Sequence, residues 1–162
     1  MTPEIAQHRA ALEAALAAST PSARARLAAI RAALPPEARG VDVGIIMDAD
    51  GEGAVSVLLY LDGPDSYVLQ KAIKPYWQLF ESGFEPRTVD GAIIPAVPML
   101  DPEISDEDDD GAAALAPVHA SSAEVCREWI AGLWAEFGGM GLPARAFLDC
   151  GIGPQDVRPL RP

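Results

Sequence analysis

The hydrophobic period first changes along this chain at Pro35-Pro36, and that change sets the fold class. Before it, Ile5, Leu12 and Leu16, then Leu27, Ile30 and Leu34, recur at helical spacing with alanines between them. After it, residues 41–47 and 54–61 are rich in β-formers, and Val55, Val57, Leu59 and Leu61 alternate onto one side of an extended chain. Helical text followed by short strands and turns predicts an α+β fold. The chain has 162 residues, 49% of them hydrophobic, which suits one domain with its own core.

Start and stop signals divide this text further. Thr2-Pro3-Glu4 and Thr20-Pro21 both read as helix starts, so residues 1–36 predict an αα-hairpin with a very short turn. Residues 48–53, Asp-Ala-Asp-Gly-Glu-Gly, are turn chemistry and predict a β-hairpin joining the first two strands. The other side of the second strand, Ala54, Ser56, Leu58 and Tyr60, is also fairly apolar, which predicts a central strand covered at least partly on both faces. From Val68 to Phe80 a helical stripe contains Pro75, which must kink or split it. Residues 88–90 and 92–94 fit an edge strand, since Pro95 and Pro98 forbid a central one.

Toward the C-terminus, Ser121 and Glu124 form a capping box before Val125, Cys126, Trp129, Ile130, Leu133, Trp134 and Phe137, a helix that stops at Gly138-Gly139. Residues 144–150 and 157–160 read as strands. The expected molecule is a single α+β domain over 1–162: an N-terminal helical hairpin and a small, mostly antiparallel sheet with helices packed against it. Residues 101–118 are expected to form an acidic flexible loop.

The charge is large and uneven. Acidic residues outnumber basic ones 24 to 12, for a net charge of −12; residues 1–40 carry +2 and residues 41–162 carry −14. Clustered cations, which a nucleic-acid binder needs to displace counterions, are missing. Seven of the ten residues from 101 to 110 are acidic. Such a surface steers a basic partner, or serves solubility alone. The N-terminus lacks a basic segment followed by an apolar one, and no apolar stretch nears the ~20 residues that span a bilayer, so a cytoplasmic location without a membrane is expected.

The search for chemistry is mostly negative. Asp48, Asp50, Glu52 and Gly53 match the first half of a calcium loop, but the bidentate position is Leu59. Asp106, Asp108, Asp110 and Gly111 match again, and there the twelfth position is Pro117. No His-x-x-x-His, Cys-x-x-Cys, Gly-x-Ser-x-Gly or P-loop spacing occurs, and no cofactor is expected. Cys150 beside Asp149, with His119 as base, is a conceivable nucleophile; a half-buried structural thiol is the plainer reading. Trp77, Trp129 and Trp134 fit a core better than a ligand pocket.

The run from Ile93 to Leu100 is apolar yet broken by proline; it either packs along the domain or forms part of a binding surface. Together, Leu61-Asp62-Gly63-Pro64-Asp65, Pro95-x-Val97-Pro98 and the Trp-bearing helix from Val125 resemble small bacterial proteins described only as domains of unknown function. The acidic α+β style is similar to that of immunity proteins of bacterial toxin systems; neither resemblance brings a functional residue with it.

The expected function is therefore a non-enzymatic protein-binding module, of immunity or antitoxin type, with a basic protein as partner. Ile94 and Met99 would supply its apolar centre and Asp106, Glu107, Asp108, Asp109 and Asp110 its charged rim. A small-ligand or weak metal-binding protein, or an enzyme of unrecognised type, stays open as the alternative.

Overall fold

A computed structural model describes residues 1–47, 53–100 and 109–162, with side chains in the last segment described from residue 116. Helix α1 (Pro3–Ala32) begins with Thr2, whose hydroxyl accepts the Ile5 N–H at 3.4 Å. It runs through Pro21 without a break, so one 30-residue helix stands where the helical hairpin was expected. Pro21 has no N–H to give the preceding turn. Just before it the Ser19 and Thr20 hydroxyls bond back to the carbonyls of Ala15 and Leu16, at 2.8 and 3.0 Å. The buried residues Leu12, Leu16, Ala23, Leu27 and Ile30 all lie within an arc of roughly 60°, at about 100° per residue.

Strands β1 (Gly40–Met47) and β2 (Val55–Asp62) pair antiparallel, from Gly40 opposite Asp62 to Met47 opposite Val55. Helix α2 (Ser66–Ile73) is capped by Asp65, whose carboxylate accepts the Val68 N–H at 3.1 Å. It ends before Pro75, and the text beyond is strand β3 (Gln78–Glu81), so Leu79 and Phe80 belong to the sheet and not to a kinked helix. β4 (Arg87–Val89) and β5 (Ala92–Ile94) form a separate hairpin around Asp90-Gly91, both at positive φ (49° and 83°), as a tight primed turn requires.

Helix α3 (Asp109–Phe137) starts twelve residues before the expected capping box, so Ser121 and Glu124 lie inside it. It stops at Gly138, φ 79°, whose N–H reaches the Trp134 carbonyl at 3.0 Å. β6 (Ala144–Asp149) and β7 (Gln155–Leu160) complete the chain. The sheet order is β3-β2-β1-β6-β7, with only the β1–β6 pair parallel. The fold is α+β, its sheet mixed and mostly antiparallel.

One face of the sheet is sealed. Val41, Val43, Ile45 and Met47 of β1 and Val55, Val57, Leu59 and Leu61 of β2 are at most 3% exposed, in one core with Leu12, Leu27, Ile130 and Trp134. Cys126 lies at 0% exposure within it, and burial pushes its thiol up to about 12. The two long helices are also stitched by the Trp129 indole N–H, which donates to Thr20 Oγ1 at 3.0 Å. Among the described residues, no helix is long and apolar enough to cross a membrane.

The proline-dotted strap after β5 packs along the domain. Ile94, Val97 and Leu100 are buried at a spacing of three, which an extended proline-type segment presents on one side. His8 is buried against this strap, with its Nδ1 3.3 Å from the Pro98 carbonyl.

Candidate functional site

The second face of the sheet carries the side chains that alternate with the core: Ile46 of β1, Leu58 and Tyr60 of β2 and Phe147 of β6. They are half-buried by one another, in contrast to the fully buried set on the opposite face. Tyr60 sits at the centre. Its ring meets Trp77 edge-on at 5.7 Å and lies near-parallel to Phe147 at 6.2 Å. Gly44 makes this arrangement possible. A Cβ there would fall 2.9 Å from Phe147 Cζ and 3.1 Å from Tyr60 Cε2, so only a bare backbone lets both rings lie down on β1.

The aromatic centre has an acidic border. Asp42, Asp62, Glu81 and Asp149 occupy positions of the same face by strand register, with two guanidiniums among them: Arg145 on Asp42 at 2.6 Å and Arg87 on Glu81 at 3.0 Å. Arg145 is held by Asp42 through a 2.6 Å Nε–Oδ1 bond, and this bond with the Asp42 charge raises its pKa further. Asp149 is turned toward the β6–β7 connection, where its carboxylate accepts the N–H groups of Gly151 and Gly153 at 2.8 and 3.0 Å. Burial, with the Asp149 charge adding to it, pushes the Tyr60 hydroxyl up, so the phenol stays neutral. At the Arg145 end the face dips into a cavity of 420 Å³ bordered by Asp42, Asp62, Arg145, Val157 and Pro159.

The edge of β2 next to this face is finished by a side chain. Beyond the end of β3, the Gln70 amide accepts the Leu61 N–H at 3.1 Å and donates to the Leu59 carbonyl at 2.9 Å, taking the place of a strand.

The residues expected from the sequence fall elsewhere. Ile94 is 1% exposed and packs into the core, so its side chain has no surface to offer; its neighbour Ile93 is 73% exposed and Met99 50%. Asp106, Glu107 and Asp108 lie outside the described residues, and Asp109 and Asp110 open helix α3. Of the first calcium-loop segment, residues 48–52 lie outside the described residues and Gly53 stands at φ 87°; of the second, Asp106 and Asp108 lie outside them, while Asp110, Gly111 and Pro117 fall in helix α3. Among the described residues no group of three or more His, Cys, Asp or Glu is placed to hold a metal. Burial and the Asp149 charge push the Cys150 thiol up, the reverse of what a nucleophile needs.

Tyr60, Trp77 and Phe147 as a surface group were missed from the sequence. Its trace was the apolar second side of β2, read there as a face at least partly covered; Leu58 and Tyr60 are half-buried. Comparison with curated proteins and with solved structures finds no match. A family profile matches residues 4–162, and on that match the chain belongs to DUF6389, a family of unknown function.

Proposed function

We propose that the chain is a non-enzymatic binding module that docks a basic protein on the open face of its sheet, in the manner of an immunity or antitoxin-like protein in the cytoplasm. One observation carries the reading: an aromatic centre of Tyr60, Trp77 and Phe147 inside a border with four carboxylates and two guanidiniums, Arg145 and Arg87. Rigid aromatic side chains give large contact area at small entropic cost, and they dominate the energetics of protein interfaces. The acidic border selects a cationic partner and speeds its approach. This places the apolar centre on β1, β2 and β6 and keeps the partner chemistry expected from the net charge of −12.

The test is a photo-crosslinking residue placed at Ser56, on the open face, and in a control protein at Ala28, exposed on α1. In lysate of the source cell, Ser56 should capture a basic protein, with a yield that falls as salt rises, and Ala28 should not. Tyr60→Ala and Phe147→Ala should then raise the off-rate of the captured partner measured with purified proteins. Capture of the same species at both positions, of acidic proteins only, or of none, would remove this reading.

A further inference from the structure

Away from the open face, a cleft of 660 Å³ runs between Ile5 and Arg9 of α1, Ala120, Ser121 and Arg127 of α3 and Arg158 of β7. Its volume is that of a small-molecule site. Its polarity is ordered. On the α1 side Arg9 is answered by two carboxylates, Glu13 and Glu124, each at 2.9 Å. On the β7 side the ratio reverses: Asp156 alone serves Arg127 at 2.7 Å and Arg158 at 2.9 Å. Two guanidiniums thus share one carboxylate, with Glu128 also lining the cleft.

Three further features converge there. Asp156 stands at φ 44°, a left-handed conformation that a non-glycine residue adopts at a cost. It lies where the β6–β7 register shifts, between the pairs Ala146–Arg158 and Leu148–Gln155; bulges of this kind re-aim side chains beside functional sites. The Ser121 hydroxyl and Arg127 Nε, both on residues lining the cleft, are buried without a hydrogen-bond partner. Ile5, Pro117 and Ala120, with Met1, supply an apolar stretch of the wall beside Glu124 and Glu128.

We propose that this cleft binds a small carboxylate carrying an apolar chain. The carboxylate would take the place left open in the Arg127–Asp156–Arg158 row, where a planar acceptor receives guanidinium N–H groups in pairs, and the Ser121 hydroxyl would turn to it as a further donor. The chain would lie along Ile5, Pro117 and Ala120. Recruiting Arg158 costs little, because its side chain is 62% exposed and Asp156 keeps Arg127 as partner. The site is independent of the docking face and stands or falls separately.

Octanoate, octanol and octylammonium are the probes, titrated into the full chain labelled with ¹⁵N and observed at backbone and arginine Nε–H resonances. Octanoate should shift Ser121, Arg127 and Arg158 saturably and bind about tenfold more tightly than octanol, the worth of one hydrogen bond to a charged group. Arg158→Gln, a surface change, should lose about that factor. Asp156→Asn keeps the shape, tolerates positive φ and removes the competing carboxylate, so it should bind octanoate several-fold more tightly. A row of purely structural ion pairs predicts no such gain. Equal binding of octanol and octanoate, preference for octylammonium, shifts confined to other regions, or an Asp156→Asn variant that binds no better would overturn the proposal.

Discussion

Gly44→Ala sets one methyl group beneath the two rings that cover β1. The new Cβ would stand 2.9 Å from Phe147 Cζ, 3.0 Å from Ile46 Cδ1 and 3.1 Å from Tyr60 Cε2. All three are ends of side chains on a half-buried face, so they swing outward and the strain stays in the lower part of the ~1–3 kcal/mol range for overpacking. Replacing a glycine inside a strand returns about 0.5–1 kcal/mol of chain entropy. The expected net effect is a loss of about 0.5–1 kcal/mol, read as a lower urea midpoint at unchanged slope. In a Phe147→Ala background the tightest contact is gone and Tyr60 has room to yield, so the same change should stabilise by about 0.5 kcal/mol. The double-mutant cycle should thus return a coupling of about 1–1.5 kcal/mol. A Gly44→Ala variant more stable than wild type, or a coupling near zero, would show that the rings do not lie on Gly44 and would dissolve the aromatic centre of the docking face.

Gln70→Leu should cost about 1–3 kcal/mol in urea unfolding, because the Leu59 carbonyl and Leu61 N–H both lose their partner; an unchanged midpoint would mean that water replaces the amide at no cost. Trp134→Ala, at 1% exposure, should cost about 3–5 kcal/mol, and the half-buried Trp129→Ala less; the reverse order in chemical denaturation would contradict the packing of α3. His8 gives a pH signature. Burial, offset in part by the Pro98 carbonyl, lowers its pKa from 6.5, so the unfolded chain takes up the proton first as pH falls. The stability of neutral His8 is therefore present above pH 6.5 and lost below it, and the urea midpoint of wild type should fall between neutral and mildly acid pH more than that of His8→Gln; parallel slopes would refute the assignment. Asp90 and Asp156, whose pKa values are lowered chiefly by hydrogen bonds from Ser22 and from Arg158, respond only at lower pH, as their carboxylates protonate.

Much of the fold was written in local periods, and the errors came where a local signal competed with a longer one. Thr20-Pro21 has the chemistry of a helix start, yet the apolar arc of Leu12 and Leu16 passes to Ala23, Leu27 and Ile30 without a change of phase, which a true turn would have reset. The same holds for Ser121 and Glu124: Val118 and Ser122 are buried on the stripe of Val125 and Cys126, so the helix already existed before the capping box. Beyond Pro75, Leu79 and Phe80 fit both periods in so short a run, and pairing with β2 decided for strand. The open face was legible only as composition. Leu58 and Tyr60 are visible in the sequence, but their neighbours Phe147 and Trp77 come from distant segments brought together by the sheet order, which no local pattern contains.

That order has a consequence for how the chain is born. β1 takes one neighbour from the next strand in sequence, but its other neighbour, β6, lies far downstream: Asp42 meets Arg145 across 103 positions. At a synthesis rate of about 5–20 residues per second, the N-terminal part waits roughly 5–20 s with β1, the most fully buried strand of the finished sheet, unpaired along one side. Closing so distant a pair is also slow in itself, since the intervening loop must be ordered before any contact rewards it. During that wait an apolar edge is open to any other strand, the situation in which nascent chains associate wrongly. Helix α3, the long helix that packs on β1, is itself made only just before β6, so a nascent chain halted before α3 should depend on chaperones to stay soluble.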